Sequence, residues 1–310
     1  MHPAFSILFF TTLAGAGQGL AVLLAAAVLF QVGFTPGFRD AALALALLLL
    51  AAGLAASFLH LGHKMRAWRA VLMWRTSWMS REVIVLPAFI GLVGVWWLSL
   101  WAGISGPWAQ ALPLLVVAGA LLLGYCTAMI YACLRFIQEW AHWLTVVNFT
   151  LIGLSSGSML ACALAALNQQ DALLQVLAPW ATEVTLLAGL ARWASLRRNA
   201  DLRAKSTLQS ATGIKSPKLV QKSMGMSAGS FNTREFFHGA SQAVLRNMRW
   251  GFSLGLFVLP LVLAWWAFSN AALWPWVLAS VLQAPSLIAE RWVFFAQAKH
   301  PQNLYYQTVG

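Results

Sequence analysis

A histidine and a carboxylate stand at the ends of two successive apolar stretches. His60 closes the run from 41 to 61, and Glu82 lies just ahead of the run from 83 to 104. The connection between them is basic and rich in tryptophan: Lys64, Arg66, Arg69, Arg75 and Arg81 occur with no acid before Glu82. An imidazole titrates at about pH 6.5, and partial desolvation raises a carboxyl towards that range. The pair can therefore pass protons near neutral pH. A quinone requires this chemistry, because its two carbonyl oxygens gain or lose a proton as each electron moves. A mostly apolar pocket with few polar groups suits its ring and tail. Taken singly, each residue has a plainer explanation. His60 would be a cation at a helix C-terminus, and Glu82 an N-terminal carboxylate beside Arg81. Their pairing on facing helix ends favours the proton chemistry.

Other polar groups gather at the same level. Arg135, Glu139 and His142 bracket the fourth and fifth apolar runs, Asn148 lies a turn or two into the fifth, and Glu290 and Arg291 close the last. An up-down topology puts all of them at one membrane interface. The opposite layer holds little beyond Asp171 and the neighbours Arg39 and Asp40. His60 and His142, from the second and fifth runs, are the residues that could supply two axial ligands to a b-type haem. His142 beside Trp143 also suits a plain interface position. Glu183 sits mid-run and would be costly facing lipid; a hydrogen bond to a neighbouring helix, for instance to Ser156 or Thr150, is the expectation.

These residues need a scaffold, and composition says which. Of 310 residues, 60% are hydrophobic and 9% charged, with a mean hydropathy of +0.72. A soluble domain carries about 25% charged residues. An ordinary globule is excluded, and disorder more firmly still. Eight runs are long and apolar enough for a bilayer, which needs about 20 residues per helix: 4–31, 41–61, 83–104, 109–134, 143–167, 174–194, 251–270 and 272–294. None alternates with period two, which excludes a β-barrel, and backbone in lipid must satisfy its own hydrogen bonds. The expected fold is all-α, a single polytopic bundle of eight transmembrane helices over 1–310. All basic residues but Arg39 fall on one side of this arrangement, so both termini are expected in the cytoplasm. The net charge of +12 then reads as topology and as a patch for anionic lipid or an acidic partner, not as a nucleic-acid site. The stretch 195–249 is a long, basic cytoplasmic loop, with Phe231, Phe236 and Phe237 available to pack on a partner. Cys126, Cys133 and Cys162 lack the spacing of a metal or cluster motif and read as small apolar fillers. Gly94, Gly119, Gly124, Gly153 and Gly157 would let helices approach closely, and the tryptophans would form interface belts.

Three segments resemble the membrane anchor subunits of the dimethyl sulfoxide reductase family: ASFLHLGHKMRAW with SWMSREV, MIYACLRFIQEW, and ERWVFFAQAKHPQNLYYQ. The resemblance implies an anchor that holds a molybdopterin catalytic subunit and a four-cluster iron–sulfur subunit on the membrane and exchanges electrons with quinone. It places the family's quinol-site histidine on His60, its carboxylate on Glu82 and the basic residue of its MRA motif on Arg66. Arg66 or Arg81 would offset negative charge at the reduced ring or a nearby cluster. Molybdopterin and iron–sulfur clusters belong to the partners only, and haem is not expected in the anchor. Charge and the GSFNTREFFHG stretch point within the family to the sulfite-oxidising branch, whose catalytic subunits sit on the cytoplasmic face of the bacterial inner membrane. That implies electron transfer from sulfite through the clusters to ubiquinone or menaquinone. The alternatives are a quinol-oxidising anchor of the reductase type and a passive tether. A secondary transporter fits poorly, because it would show repeats or midplane polar groups. A self-sufficient enzyme lacks any cofactor motif.

Overall fold

The computed structural model describes residues 3–59, 63–222, 238–301 and 303. Among these residues the regular structure is helical. The order is α1 (Phe5–Leu29), α2 (Pro36–Leu59), a 3₁₀-helical segment (Lys64–Met73), α3 (Trp78–Trp101), α4 (Pro107–Ala132), α5 (Trp143–Leu167), α6 (Asp171–Ala200), a short α7 (Leu208–Thr212), α8 (Gln242–Asn270) and α9 (Trp274–Ala296). The eight long helices follow the eight apolar runs in sequence.

Local chemistry sets their limits. Proline occupies the first turn of α4 and α9, where its missing N–H costs nothing. The Ser77 hydroxyl accepts from the Ser80 N–H at 3.3 Å and opens α3. Ala271, in the left-handed region at φ 48°, ends α8 and makes the tight turn into α9.

Seven of the long helices, α1 to α6 and α8, are long and apolar enough to cross a bilayer. The remaining one, α9, carries Gln283, Glu290 and Arg291 and falls short of that apolarity. The protein is a multi-pass membrane protein.

Helix α1 lies at the centre, packed on α2, α4, α5 and the end of α9. Its contact with α5 is backbone to backbone. A Cβ at Gly19 would run into Gly153, and a Cβ at Gly157 would run into Leu20 and Gly19. Only hydrogen fits at these two positions; Gly153 and Gly157 bring the helices together as expected, whereas a Cβ at Gly94 would meet open space. A second close approach joins α8 to α9. Gly255, in a π-helical turn (Leu254–Val258), lies against the Ser286 hydroxyl.

Several expectations change. Trp96 and Trp276 are core residues, not belt residues, whereas Trp101, Trp108, Trp265 and Trp274 are exposed. Cys126 and Cys162 are buried, but Cys133 is exposed. Helix α6 runs on to Ala200 and α8 begins at Gln242, so both ends of the expected 195–249 loop are helical. Phe231, Phe236 and Phe237 lie outside the described residues.

Candidate functional site

Helix α3 has a continuous inward stripe of Glu82, Leu86, Phe89, Val93 and Trp96 at helical spacing. Glu82 is therefore carried into the bundle by the same periodicity that buries its apolar successors, and it is 6% exposed. Its partner comes from α4. The Thr127 hydroxyl donates to Glu82 Oε1, from a position one residue after the buried Cys126. Around this pair the outer surface is apolar and open, with Met79, Val83 and Tyr125 exposed. Trp78 packs edge-on against Tyr125 at 5.3 Å.

The other expected residues fall as follows. His60 lies outside the described residues; it follows Leu59, the last residue of α2, directly in the chain. Arg66 is exposed on the 3₁₀ segment. Arg81 turns away from Glu82. Its Nε donates to the Trp74 carbonyl at 2.9 Å and its Nη2 to the Arg75 carbonyl at 2.8 Å, and its guanidinium sits 4.0 Å from the Trp78 ring centroid. Arg81 thus ties the connection onto the start of α3. His142 caps α5, with Nδ1 accepting from the Leu144 N–H at 3.2 Å. Burial, and then the nearby Arg198 cation, hold its imidazole below the usual histidine range. The expected hydrogen bond from Glu183 to Ser156 or Thr150 is not made. Glu183 faces outward, Ser156 donates to the Gly153 carbonyl, and Ser155 pairs with Thr185 at 2.8 Å.

A second charged cluster joins α6 to α9. Arg192 Nε lies 2.8 Å from Glu290 Oε1, with the side chains 1% and 0% exposed. Arg291 Nη1 lies 3.4 Å from Glu290 Oε2. Beyond these ionic contacts, both Glu290 oxygens, Arg192 Nη2 and Arg291 Nη1 have no hydrogen-bond partner among the described residues. The Arg291 guanidinium rests 3.8 Å from the Phe149 ring centroid. Asn148, next to Phe149, is buried, and both its amide atoms lack a partner among the described residues. The Tyr131 ring stacks on Phe149 at 5.5 Å and lies one turn beyond Thr127 on α4. An aromatic layer thus separates the Glu82–Thr127 pair from the Arg192–Glu290–Arg291 cluster.

The sequence alone places Glu82, Asn148, Glu290 and Arg291 in a common polar layer but misses Thr127 and Arg192. Arg192 falls near the end of the run 174–194 and counts there only among the basic residues of one side. Its signal is the stripe Leu177, Ala181, Thr185 and Ala188, which continues at helical spacing to Arg192 on the buried face of α6.

Residues 1–220 match the family model described as DMSO reductase anchor subunit (DmsC). The chain is 46% identical to a sulfite dehydrogenase subunit of Allochromatium vinosum over an alignment of 326 positions that spans all of both chains. It is 31% identical over 120 residues to "Anaerobic dimethyl sulfoxide reductase chain YnfH" of Escherichia coli, covering 38% of this chain and 41% of that one. The chain belongs to the DMSO reductase anchor subunit family.

Proposed function

We propose that this anchor subunit passes electrons from cytoplasmic sulfite oxidation to quinone, with Glu82 and His60 as its proton-handling groups. One observation carries the reading furthest. Glu82 is buried against Thr127 directly behind an apolar, outward-facing surface of α3 and α4. A lipid-soluble ring approaching from the bilayer would meet one proton-active group in an otherwise apolar wall. The residues present therefore fit a quinone head group.

When bound, the quinone supplies the two-electron, two-proton acceptor. The chain orients it and manages protons. Glu82, held in one rotamer by Thr127, offers a proton at a carboxyl oxygen. His60, which follows Leu59 in the chain, offers the second and is refilled from the aqueous side. Arg66, on the exposed basic connection, would hold negative charge at the mouth of the site. The electrons arrive from clusters of a four-cluster iron–sulfur subunit, itself served by a molybdopterin subunit, both on the cytoplasmic face.

Helix α9 completes the bundle as an eighth span and brings both termini to the cytoplasmic side of a bacterial inner membrane. It has 23 residues, about 35 Å at about 1.5 Å per residue, enough for a hydrocarbon core of about 30 Å. Its polar residues Gln283, Glu290 and Arg291 all turn inward, while Trp274, Leu278 and Val281 face out.

The full-length relative named for sulfite dehydrogenase favours sulfite over a sulfoxide as the partner's substrate. The subunits that co-purify with the chain test this. A molybdoprotein without an export leader is expected; one with a twin-arginine leader would make the chain a quinol-oxidising reductase anchor instead.

A further inference from the structure

The connection between α2 and α3 has an order of its own. Lys64–Met73 forms a 3₁₀ helix of ten residues with no buried side chain. At about three residues per turn, side chains three apart eclipse one another. The sequence therefore sorts into rows. One row is Met65, Trp68, Val71 and, just past the segment, Trp74. The next is Arg66, Arg69, Leu72 and Arg75. The apolar row is turned outward, with Met65 91% exposed, Trp68 63%, Val71 38% and Trp74 52%. The cations fold back over it. Arg69 lies 5.6 Å from the Trp68 ring centroid and Arg75 lies 5.4 Å from that of Trp74.

We propose that this segment lies flat in the membrane interface and binds anionic phospholipid, with Met65, Trp68, Val71 and Trp74 against the acyl boundary and Arg69 and Arg75 on lipid phosphates. Position supports lipid as the occupant. The segment is tied at both ends to spanning helices and is flanked by outward-facing Phe58, Leu59 and Met79. Its apolar row thus continues the lipid-facing surface of the bundle. Charge supports an anionic headgroup, since no acid occurs between Asp40 and Glu82. Adjacent apolar and basic faces are what an interfacial helix requires. The segment would also fix where α2 and α3 enter the bilayer.

The test uses the full chain, with exposed Cys133→Ser, reconstituted in vesicles of equimolar phosphatidylcholine and phosphatidylglycerol. Nitroxide labels are placed singly through Met65→Cys, Ala67→Cys, Trp68→Cys, Ala70→Cys, Val71→Cys and Trp74→Cys. Collisions with oxygen should exceed those with a water-soluble nickel chelate at 65, 68, 71 and 74, and fall at 67 and 70. Arg69→Gln with Arg75→Gln should weaken association of a spin-labelled phosphatidylglycerol by about fivefold per arginine and leave phosphatidylcholine unaffected. Uniform access of the nickel chelate along the segment would overturn the proposal. So would release of a co-purified partner protein by the double variant with lipid association unchanged, because the surface would then be a protein dock. Both readouts are independent of quinone turnover.

Discussion

The Thr127 hydroxyl on α4 donates to the Glu82 carboxylate on α3, linking the two helices at the level where α3 enters the bundle. Thr127→Val keeps the shape and removes the donor. Leaving a buried acceptor unsatisfied costs about 1–3 kcal/mol, and Glu82 has no other partner among the described residues. Thermal unfolding in detergent should show a loss in that range. Thr127→Ser should restore it.

Glu290 is the acid between two buried arginines, Arg192 and Arg291. Glu290→Gln removes the counter-charge both cations share, and breaking a buried pair in this way costs about 3–5 kcal/mol. Arg192→Met with Glu290→Met and Arg291→Met removes the whole buried cluster and should recover most of the loss, since apolar residues of similar volume replace buried ions well. Unfolding of the single and triple variants separates a charge effect from a packing effect.

Gly157 and Gly15 face the same helix pair with opposite consequences. A Cβ at position 157 meets the α1 backbone, whereas one at position 15 makes an ordinary 3.5 Å contact with Gly153. Gly157→Ala should cost about 1–3 kcal/mol or prevent folding through overpacking. Gly15→Ala should be tolerated. Yields of monodisperse protein and its unfolding temperature will distinguish them.

His142 caps α5 through an unprotonated Nδ1, and its folded pKa is lowered by burial and Arg198. The unfolded chain then takes up the proton first as pH falls. The stabilisation is therefore present above the unfolded value of about 6.5 and is lost as pH drops from there through the lowered folded value. His142→Asn retains an N-cap acceptor and should flatten this dependence between neutral and acidic pH. An unchanged pH profile would contradict the cap.

The order of the helices was legible because lipid leaves so few backbone solutions, but their ends less so, since α6 runs on to Ala200 and α8 starts at Gln242. The run read as 143–167 is α5 to the residue. Burial of Glu82 was legible too, once its place on the stripe through Leu86 and Phe89 is seen. What stayed hidden depends on how one helix is rotated against another. Thr127 is an ordinary polar interruption until α4 is set against α3. Arg192, near the end of the run 174–194, is one interface cation among many until the rotation of α6 buries it. Glu183 is expected to find a partner, but the rotation that buries Ala181 and Thr185 turns it outward.

The claim on which the functional reading stands is that His60 and Glu82 serve quinone and not the partners' substrate chemistry. The direct measurement compares quinone-coupled with dye-coupled sulfite oxidation in the intact complex carrying His60→Ala or Glu82→Gln. Loss of a positioned proton donor slows its step by about 10²–10⁴-fold, so quinone-coupled turnover should collapse while dye-coupled turnover persists. Equal loss of both activities, or quinone-coupled turnover left intact, would contradict it.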